Sequence, residues 1–527
     1  MTSRAVLLVG ALGSLLTGCT LTSPLDQLAP MPAHTMSAQA EHDADILETR
    51  PRLALTAPVP KTEPDLWQRL RAGFTLTDPT TQQPRIDAQR RWLLQHPRYF
   101  DQVFQRGERY LHHIISEAER RDMPLELALL PVVESAFDPF AYSHGQAAGP
   151  WQFVPSTGRH FGLEQDWWQD QRRDILLSTD AALTYLSQLA RRFDGDWLLA
   201  LAAYNAGGGT VNRARTRNLQ QGRATDFWSL ELPRETMAYV PRLLALAQLV
   251  RDPDEHQLTL PPLTDQPYFE VVNTGGQIDL SEAAKLAGMS LDELYLLNPA
   301  YNRWATAPQG PHRLLVPVAQ AEALRAGLAA LPPEQRLRWQ RHTIARGDTL
   351  SGIAQQHGTT AAVLREVNKL NGNNIVAGRT LMIPQPAAGQ RYALSAEQRL
   401  SRQQDRPRSG RQQQRHAVQP GESLWQIARR YGVQVQELAA WNQMAPADTL
   451  RTGQQLVVWT PATQSTSAAP STVRPVHYAV RRGDSLSTIA NRFNVSVSEI
   501  NRWNRLQGSL LQPGQALTLY VDVRNSR

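Results

Sequence analysis

The stretch LLPVVESAFDPF, residues Leu129 to Phe140, carries a carboxyl, Glu134, at the top of an apolar climb. Leu125, Ala128, Leu129, Val132 and Val133 recur at i, i+3, i+4, i+7 and i+8, and Pro124 suits a first turn. The spacing predicts a buried helix, bent at Pro131, with Glu134 at its C-terminal end. Desolvation and the negative pole of the helix both raise a carboxyl pKa there. A carboxylic acid still protonated near neutral pH suits protonation of a glycosidic oxygen. The alternative is a glutamate that turns back to solvent as the helix ends. Most glycosidases pair two carboxylates; the neighbour in sequence is Asp138, whose Asp-Pro pair reads as a turn. His112-His113, on a charged helical run, reads as surface. With no HExxH motif, no phosphate loop and no cysteine cluster, neither a cofactor nor a metal is expected.

A helical scaffold must position that acid. From Trp67 to about Val250 apolar residues recur at three and four, as in RWLLQHPRYFDQVFQRGERYLHHIISEAERRDMP, and strand signals are scarce. The spacing predicts one all-α domain over residues 63–255, a usual single-domain size. A chain of 527 residues is too long for one core.

The C-terminal half repeats itself. Segments starting at His342, His416 and Tyr478 align with Gly347, Gly421 and Gly483 in register; Leu350, Leu424 and Leu486 follow three on, and Asn368, Asn442 and Asn504 twenty-one on. A second glycine then opens a short apolar strand. Each unit reads strand, helix, helix, strand: modules over 340–385, 415–460 and 476–522. The unit resembles the LysM module, which binds N-acetylglucosamine-containing glycans. That resemblance implies a glycan groove between two loops of each module. The residues placed there are Gly347, Asp348, Thr349, Leu350 and Asn368; Gly421, Glu422, Ser423, Leu424 and Asn442; and Gly483, Asp484, Ser485, Leu486 and Asn504. The leucines also read as plain core, and the asparagines as helix ends. A fourth, eroded copy over 266–320 keeps Leu280, Ala283-Ala284 and Asn298 in register but lacks Gly-Asp, so the fold is expected there with weak or no glycan binding. The linkers at 386–414, rich in arginine, and 461–475, rich in Thr, Ser and Pro, read as flexible.

Three blocks turn Glu134 into more than an oddity: ESAFDPFAYSHGQAAGPWQFVPSTGRHFGL, LAAYNAGGGTVNRA and ETMAYVPRLLALAQLV. In order and spacing they resemble the signature of the membrane-bound lytic transglycosylases related to goose-type lysozyme. The fold class expected is therefore multidomain: an all-α lysozyme-like catalytic domain, then small α+β (βααβ) LysM modules. The resemblance implies that Glu134 is the sole acid and base. It implies that Ser143, Gln152, Tyr204, Asn205, Glu235 and Tyr239 line the sugar cleft. The reaction implied is non-hydrolytic cleavage of the MurNAc-GlcNAc β-1,4 bond, giving 1,6-anhydro-MurNAc. Pro150 and Gln146-Ala147 depart from the family's tighter loop. A hydrolytic muramidase and a non-catalytic glycan-binding scaffold are the rival readings.

The N-terminus supplies an address. A positive start, the apolar AVLLVGALGSLL and then LTGC resemble the bacterial lipobox, implying a signal peptide over 1–18 and lipid on Cys19, the one cysteine. Thr20 follows rather than Asp, which in that lipoprotein family implies the periplasmic face of the outer membrane. Residues 19–62, rich in Pro, Ala, Thr and Ser, read as a tether. The net charge of +7 suits an acidic partner. Peptidoglycan and the membrane are the expected partners; nucleic acid is not, since no aromatic-basic motif accompanies the charge. A monomer is expected.

Overall fold

The computed structural model describes residues 65–77, 83–143, 145–387, 389, 391–461, 473–481, 484–493, 497–504, 506, 511–512 and 514–522. The expectations for Cys19, for the signal peptide and tether, for Gly483 and for linker residues 462–472 lie outside the described residues.

The N-terminal half is helical, as the periodicity predicts. Its long elements are Pro84–Leu94, Pro97–Glu119, Ile175–Arg192, Trp197–Ala206, Gly208–Gln220 and Arg234–Arg251. Their starts are written in the sequence. Asp174 accepts the N–H groups of Leu176 and Leu177, both at 3.0 Å, and Asp196 accepts that of Leu199 at 3.0 Å. Their inner faces share one core, in which Leu111, Ile115, Leu127, Leu186, Leu201 and Leu243 are wholly buried. Each such side chain contributes about 1.5–3 kcal/mol.

The segment carrying the acid departs from the expected bent helix. Leu125–Leu129 is a 3-10 turn, and a separate short α-helix, Leu130–Ser135, begins with Pro131 in its first turn. Proline there interrupts no hydrogen bond, whereas mid-helix it would. The proline therefore restarts the helix rather than bending it. Ala136 and Phe137 then take left-handed φ values of 51° and 55° and end the helix abruptly. Phe137 is buried against Gly107 of the long helix, where a Cβ would come within 2.7 Å of the ring. That close approach fixes where the acid helix stops.

The next unit, Phe269–Asn273 paired antiparallel with Arg313–Pro317, carries helices Leu280–Ala287 and Leu291–Leu297 between its strands. This is the strand–helix–helix–strand order of the eroded copy. A further helix, Val318–Ala330, packs on it and was not foreseen. The modules at 340–385 and 476–522 repeat the order, with antiparallel strands Arg338–Thr343 and Thr380–Gln385, and Val473–Ala479 and Ala516–Asp522. Strands Arg411–Ala417 and Gln455–Pro461 form the remaining two-stranded sheet.

The linker over 386–414 is not the flexible spacer expected. Tyr392 and Leu394 are buried in the core of the eroded copy, and Tyr392 donates its hydroxyl to Asp279. Helix Ala396–Asp405 follows, with Arg399 stacked 4.1 Å from the centre of the Phe140 ring. The amides of Gln403 and Gln404 donate to Ala440 and Asn442 of the second LysM module. Composition alone suggested a solvated arginine-rich strand; two buried apolar side chains and a capped helix overrule it. Among the described residues no helix is long and apolar enough to cross a membrane.

Candidate active site

Glu134, Ser143, Gln152, Tyr204, Asn205, Glu235 and Tyr239 all line one cavity of about 570 Å³. Four separate elements bring them there: three helices and the loop that carries Ser143 and Gln152. The short helix Leu130–Ser135 ends at the acid. Ser135 ties that end down with its single hydroxyl proton shared between Pro131 O and Pro150 O, both at 3.0 Å. Pro150, an oddity in the sequence, thus contributes a carbonyl that latches the cleft loop to the acid helix.

The loop after the acid is held from below by Arg172, almost wholly buried and ion-paired with Asp170 at 2.7 Å. Its guanidinium donates to Gln146 O at 2.6 Å and Phe153 O at 3.0 Å. Gly149, with φ of +81°, passes so close that a Cβ would lie 2.1 Å from Arg172 O. Ser143 accepts the N–H groups of Gly145 and Ala147 at 3.2 and 3.1 Å, shaping the turn rather than reaching freely into the cleft. Gln152, itself at φ of 50°, donates to Gly149 O at 2.8 Å.

Helix Trp197–Ala206 delivers Tyr204 and Asn205. The Tyr204 hydroxyl donates to Trp151 O at 2.8 Å, and Asn205 accepts from the Thr236 hydroxyl at 2.7 Å. Gly207, at φ of +84°, separates this helix from Gly208–Gln220, the helix-ending role its glycine run suggested. Helix Arg234–Arg251 supplies Glu235, Tyr239 and Arg242 at i, i+4 and i+7, one face of one helix.

The Tyr239 hydroxyl donates to Glu134 Oε1. Burial pushes the Glu134 carboxyl up to about 7. The Tyr239 hydrogen bond and Arg242 oppose that rise, and the neighbouring charge of Glu235 adds to it. Glu134 is half-buried by exposed area because the cleft opens onto it, yet its carboxyl sits among enough protein for desolvation to dominate. Of the two readings left open by the sequence, a solvated helix end and a desolvated acid, the geometry carries the second. Asp138 lines the same cavity and accepts the Phe140 N–H at 2.8 Å, the turn that Asp-Pro suggested. His113 is half-buried, and burial lowers its imidazole to about 4; the surface reading of that histidine is corrected.

Tyr99, Arg106 and Arg242 also line the cavity and were not singled out in the sequence. Arg242 was legible in retrospect, one turn beyond Tyr239 on the same face. Tyr99 and Arg106 lie on a helix whose other apolar positions serve the core, and nothing local marks them.

In the LysM modules the motif side chains are engaged in the fold itself. Asn442 donates to Leu438 O and Val457 O and accepts from Val457 N, each at 2.8 Å. Asn368 and Asn504 make the same three bonds, and so does Asn298 in the eroded copy. These amides staple the second helix to the closing strand, a structural role consistent with the helix-end reading of the asparagines. Asp348, Glu422 and Asp484 each accept the N–H three residues earlier, closing the turn. Thr349, Ser423 and Ser485 accept the N–H three residues on, at helix starts, and Leu350, Leu424 and Leu486 are buried. Gly347 and Gly421 take φ of 95° and 79°.

A single carboxyl raised by burial in a cleft large enough for sugar rings, on a helical scaffold followed by LysM units, defines a peptidoglycan glycan-cleaving enzyme. The family models agree: "Transglycosylase SLT domain" matches residues 113–227, "LysM domain" matches 342–384, 416–459 and 478–519, and "Lytic transglycosylase MltD, LysM-like domain" matches 268–332. The chain is 34% identical over 464 residues to the membrane-bound lytic murein transglycosylase D of Escherichia coli, covering 85% of this chain and 97% of that protein. It is 48% identical over 109 residues, 21% of this chain and 53% of the relative, to a putative tributyltin chloride resistance protein of Alteromonas. An autolysin of Enterococcus faecalis is 31% identical over 183 residues, 33% of this chain and 24% of its own length. The chain belongs to the membrane-bound lytic murein transglycosylase D family and is a lytic transglycosylase that binds peptidoglycan through LysM modules.

Proposed function

We propose that Glu134 is both acid and base of the cleavage. With its pKa raised to about 7, a substantial fraction of it is protonated at neutral pH; in that form it gives its proton to the oxygen linking MurNAc C1 to the next GlcNAc, and that C1–O bond breaks. The substrate's own N-acetyl carbonyl supports the positive charge at C1. The carboxylate left behind takes the proton of the C6 hydroxyl, and O6 bonds to C1, giving 1,6-anhydro-MurNAc. Atoms balance without water, and Glu134 ends protonated as it began. Tyr239 holds the carboxyl in place and stabilises the ionised stage. Ser143 and Gln152 shape the wall of the cleft, and Tyr204, Asn205 and Glu235 complete it.

The observation that carries this reading is the convergence of those six residues on a carboxyl raised to about 7 by burial. The test is Glu134→Gln, which keeps the shape and removes the proton. Release of soluble fragments from purified sacculi should stop; release at the wild-type rate would remove the assignment.

The remaining parts follow the sequence. Lipid on Cys19 holds the mature chain as a monomer at the periplasmic face of the outer membrane, and residues 19–62 form the tether. The catalytic domain spans 63–255. Glycan meets the LysM modules at 340–385, 415–460 and 476–522 along the loop backbones at Gly347–Leu350, Gly421–Leu424 and Gly483–Leu486; the fold already uses the side chains of Asp348, Thr349, Glu422, Ser423, Asp484 and Ser485. Several such weak sites on one strand raise the effective concentration of substrate. Radiolabelled palmitate entering the wild-type chain and not Cys19→Ala is the result expected of the anchor.

A further inference from the structure

The cleft holds a cation, Arg242, whose charge tempers the rise of the Glu134 pKa but whose unused hydrogen-bond donors the cleavage does not account for. Arg242 lies one turn beyond Tyr239 and two beyond Glu235 on the helix face that closes the cavity. Its Nε donates to the Gln89 side chain at 3.2 Å, which fixes the plane of the guanidinium. Among the described residues that is its one hydrogen bond, and it forms no ion pair. Its two Nη groups therefore carry N–H donors that the protein does not use, at the wall of a cavity where a glycan lies. Burial strips water from the guanidinium, which lowers its pKa; it stays cationic and under-satisfied. A planar, oriented, half-buried guanidinium with both outer nitrogens open matches a carboxylate.

We infer that Arg242 is the cleft's carboxylate-recognition residue, pairing through its Nη groups with an anionic group borne on the muramyl side of the bond that is cut. This rests on the reading of the cavity as the glycan site. Polysaccharide chemistry limits the sources. GlcNAc is neutral. MurNAc carries a lactyl ether, whose carboxylate is free when the peptide stem is absent; when the stem is present that carboxyl is an amide, and the stem supplies carboxylates of its own. Arg242 thus separates muramyl-containing glycan from neutral N-acetylglucosamine polymers, which the modest size of the cavity alone does not do. Arg242 acts as a specificity-determining residue and adds no proton-transfer step.

The experiment uses the full chain and three substrates. The first is glycan strands with peptide stems. The second is the same strands after amidase removal of the stems. The third is the stem-free strands with lactyl carboxylates converted to methylamides. Steady-state cleavage is measured for wild type, Arg242→Gln and Arg242→Lys. Arg242→Gln is expected to raise KM on the order of tenfold on a carboxylate-bearing substrate, with kcat changed much less. Arg242→Lys, which keeps the charge and loses the fork, should fall between. On the methylamide substrate wild type should drop to the level of Arg242→Gln. Whichever of the first two substrates shows the effect identifies the source as stem or lactyl carboxylate. Equal losses on all three substrates, or a wild type indifferent to methylamidation and to the stem, would overturn the inference. So would a loss confined to kcat with a displaced pH profile, which would make Arg242 a tuner of Glu134. The wild-type comparison needs no variant, so a misfolded Arg242→Gln leaves the test intact. Absence of anhydro product from wild type on any substrate would instead sink the cleavage mechanism.

Discussion

Replacing Tyr239 by Phe removes one hydroxyl and leaves a buried ring in place. That hydroxyl donates to Glu134 and stabilises its ionised form, so it holds the carboxyl below where burial alone would put it. Removing it must raise the Glu134 pKa above its present value of about 7. Hydrogen bonds to charged groups contribute about 1.5–3 kcal/mol, and 1.36 kcal/mol corresponds to one pH unit. The alkaline limb of kcat/KM, which reports loss of the acid's proton, should therefore move up by about one to two pH units. Below the limb, where both enzymes carry the proton, the two rates should approach one another. The assay is release of soluble fragments from sacculi between pH 5 and 9 at constant ionic strength. An alkaline limb left in place, with a uniform loss at every pH, would show that Tyr239 does not act through the ionisation of Glu134.

The same burial has a stability consequence. A folded-state carboxyl at about 7, against 4.5 for an ordinary glutamate, contributes most below pH 4.5 and loses that contribution as pH rises through 7. Glu134→Gln should thus gain on wild type by up to ~3 kcal/mol between pH 4.5 and pH 8.5; parallel urea-unfolding midpoints of the catalytic domain at both pH values would contradict it. Asn442→Ala deletes three buried hydrogen bonds and should destabilise the second LysM module by about 2–3 kcal/mol, read by hydrogen exchange at Val457, with cleavage of short soluble glycans unchanged. Gly149→Ala sets a Cβ against Arg172 O and a strained φ at once, and should cost ~1–3 kcal/mol or more and most of the activity; a variant with wild-type melting and turnover would refute the packing argument.

The helical domain was legible because its apolar period of three and four runs unbroken over long segments. The repeats were legible because strand, helix and turn residues recur in register three times. The acid was legible as a position, since an ionisable group ends an apolar run, but the burial that raises its pKa depends on the tertiary packing around the cleft, with Tyr239 and Glu235, a hundred residues downstream, adjusting it in opposite directions. Residues such as Tyr204 and Glu235 entered through resemblance and not through any local signal. The linker at 386–414 was misread because arginine density hides one-sided packing: Arg399 buries its face on Phe140 and Leu394 enters a core. The LysM asparagines show the limit from the other side. Their recurrence is as strong as that of any binding residue, yet each repeats because the same staple closes each fold.

The most direct test of the account is the chemical form of the products. Mass spectrometry of muropeptides released from purified sacculi should show 1,6-anhydro-MurNAc ends, one water lighter than reducing ends, with wild type and none with Glu134→Gln. Reducing MurNAc ends from wild type would mean that water, and not the C6 hydroxyl, attacks C1, and would contradict the single-carboxyl mechanism.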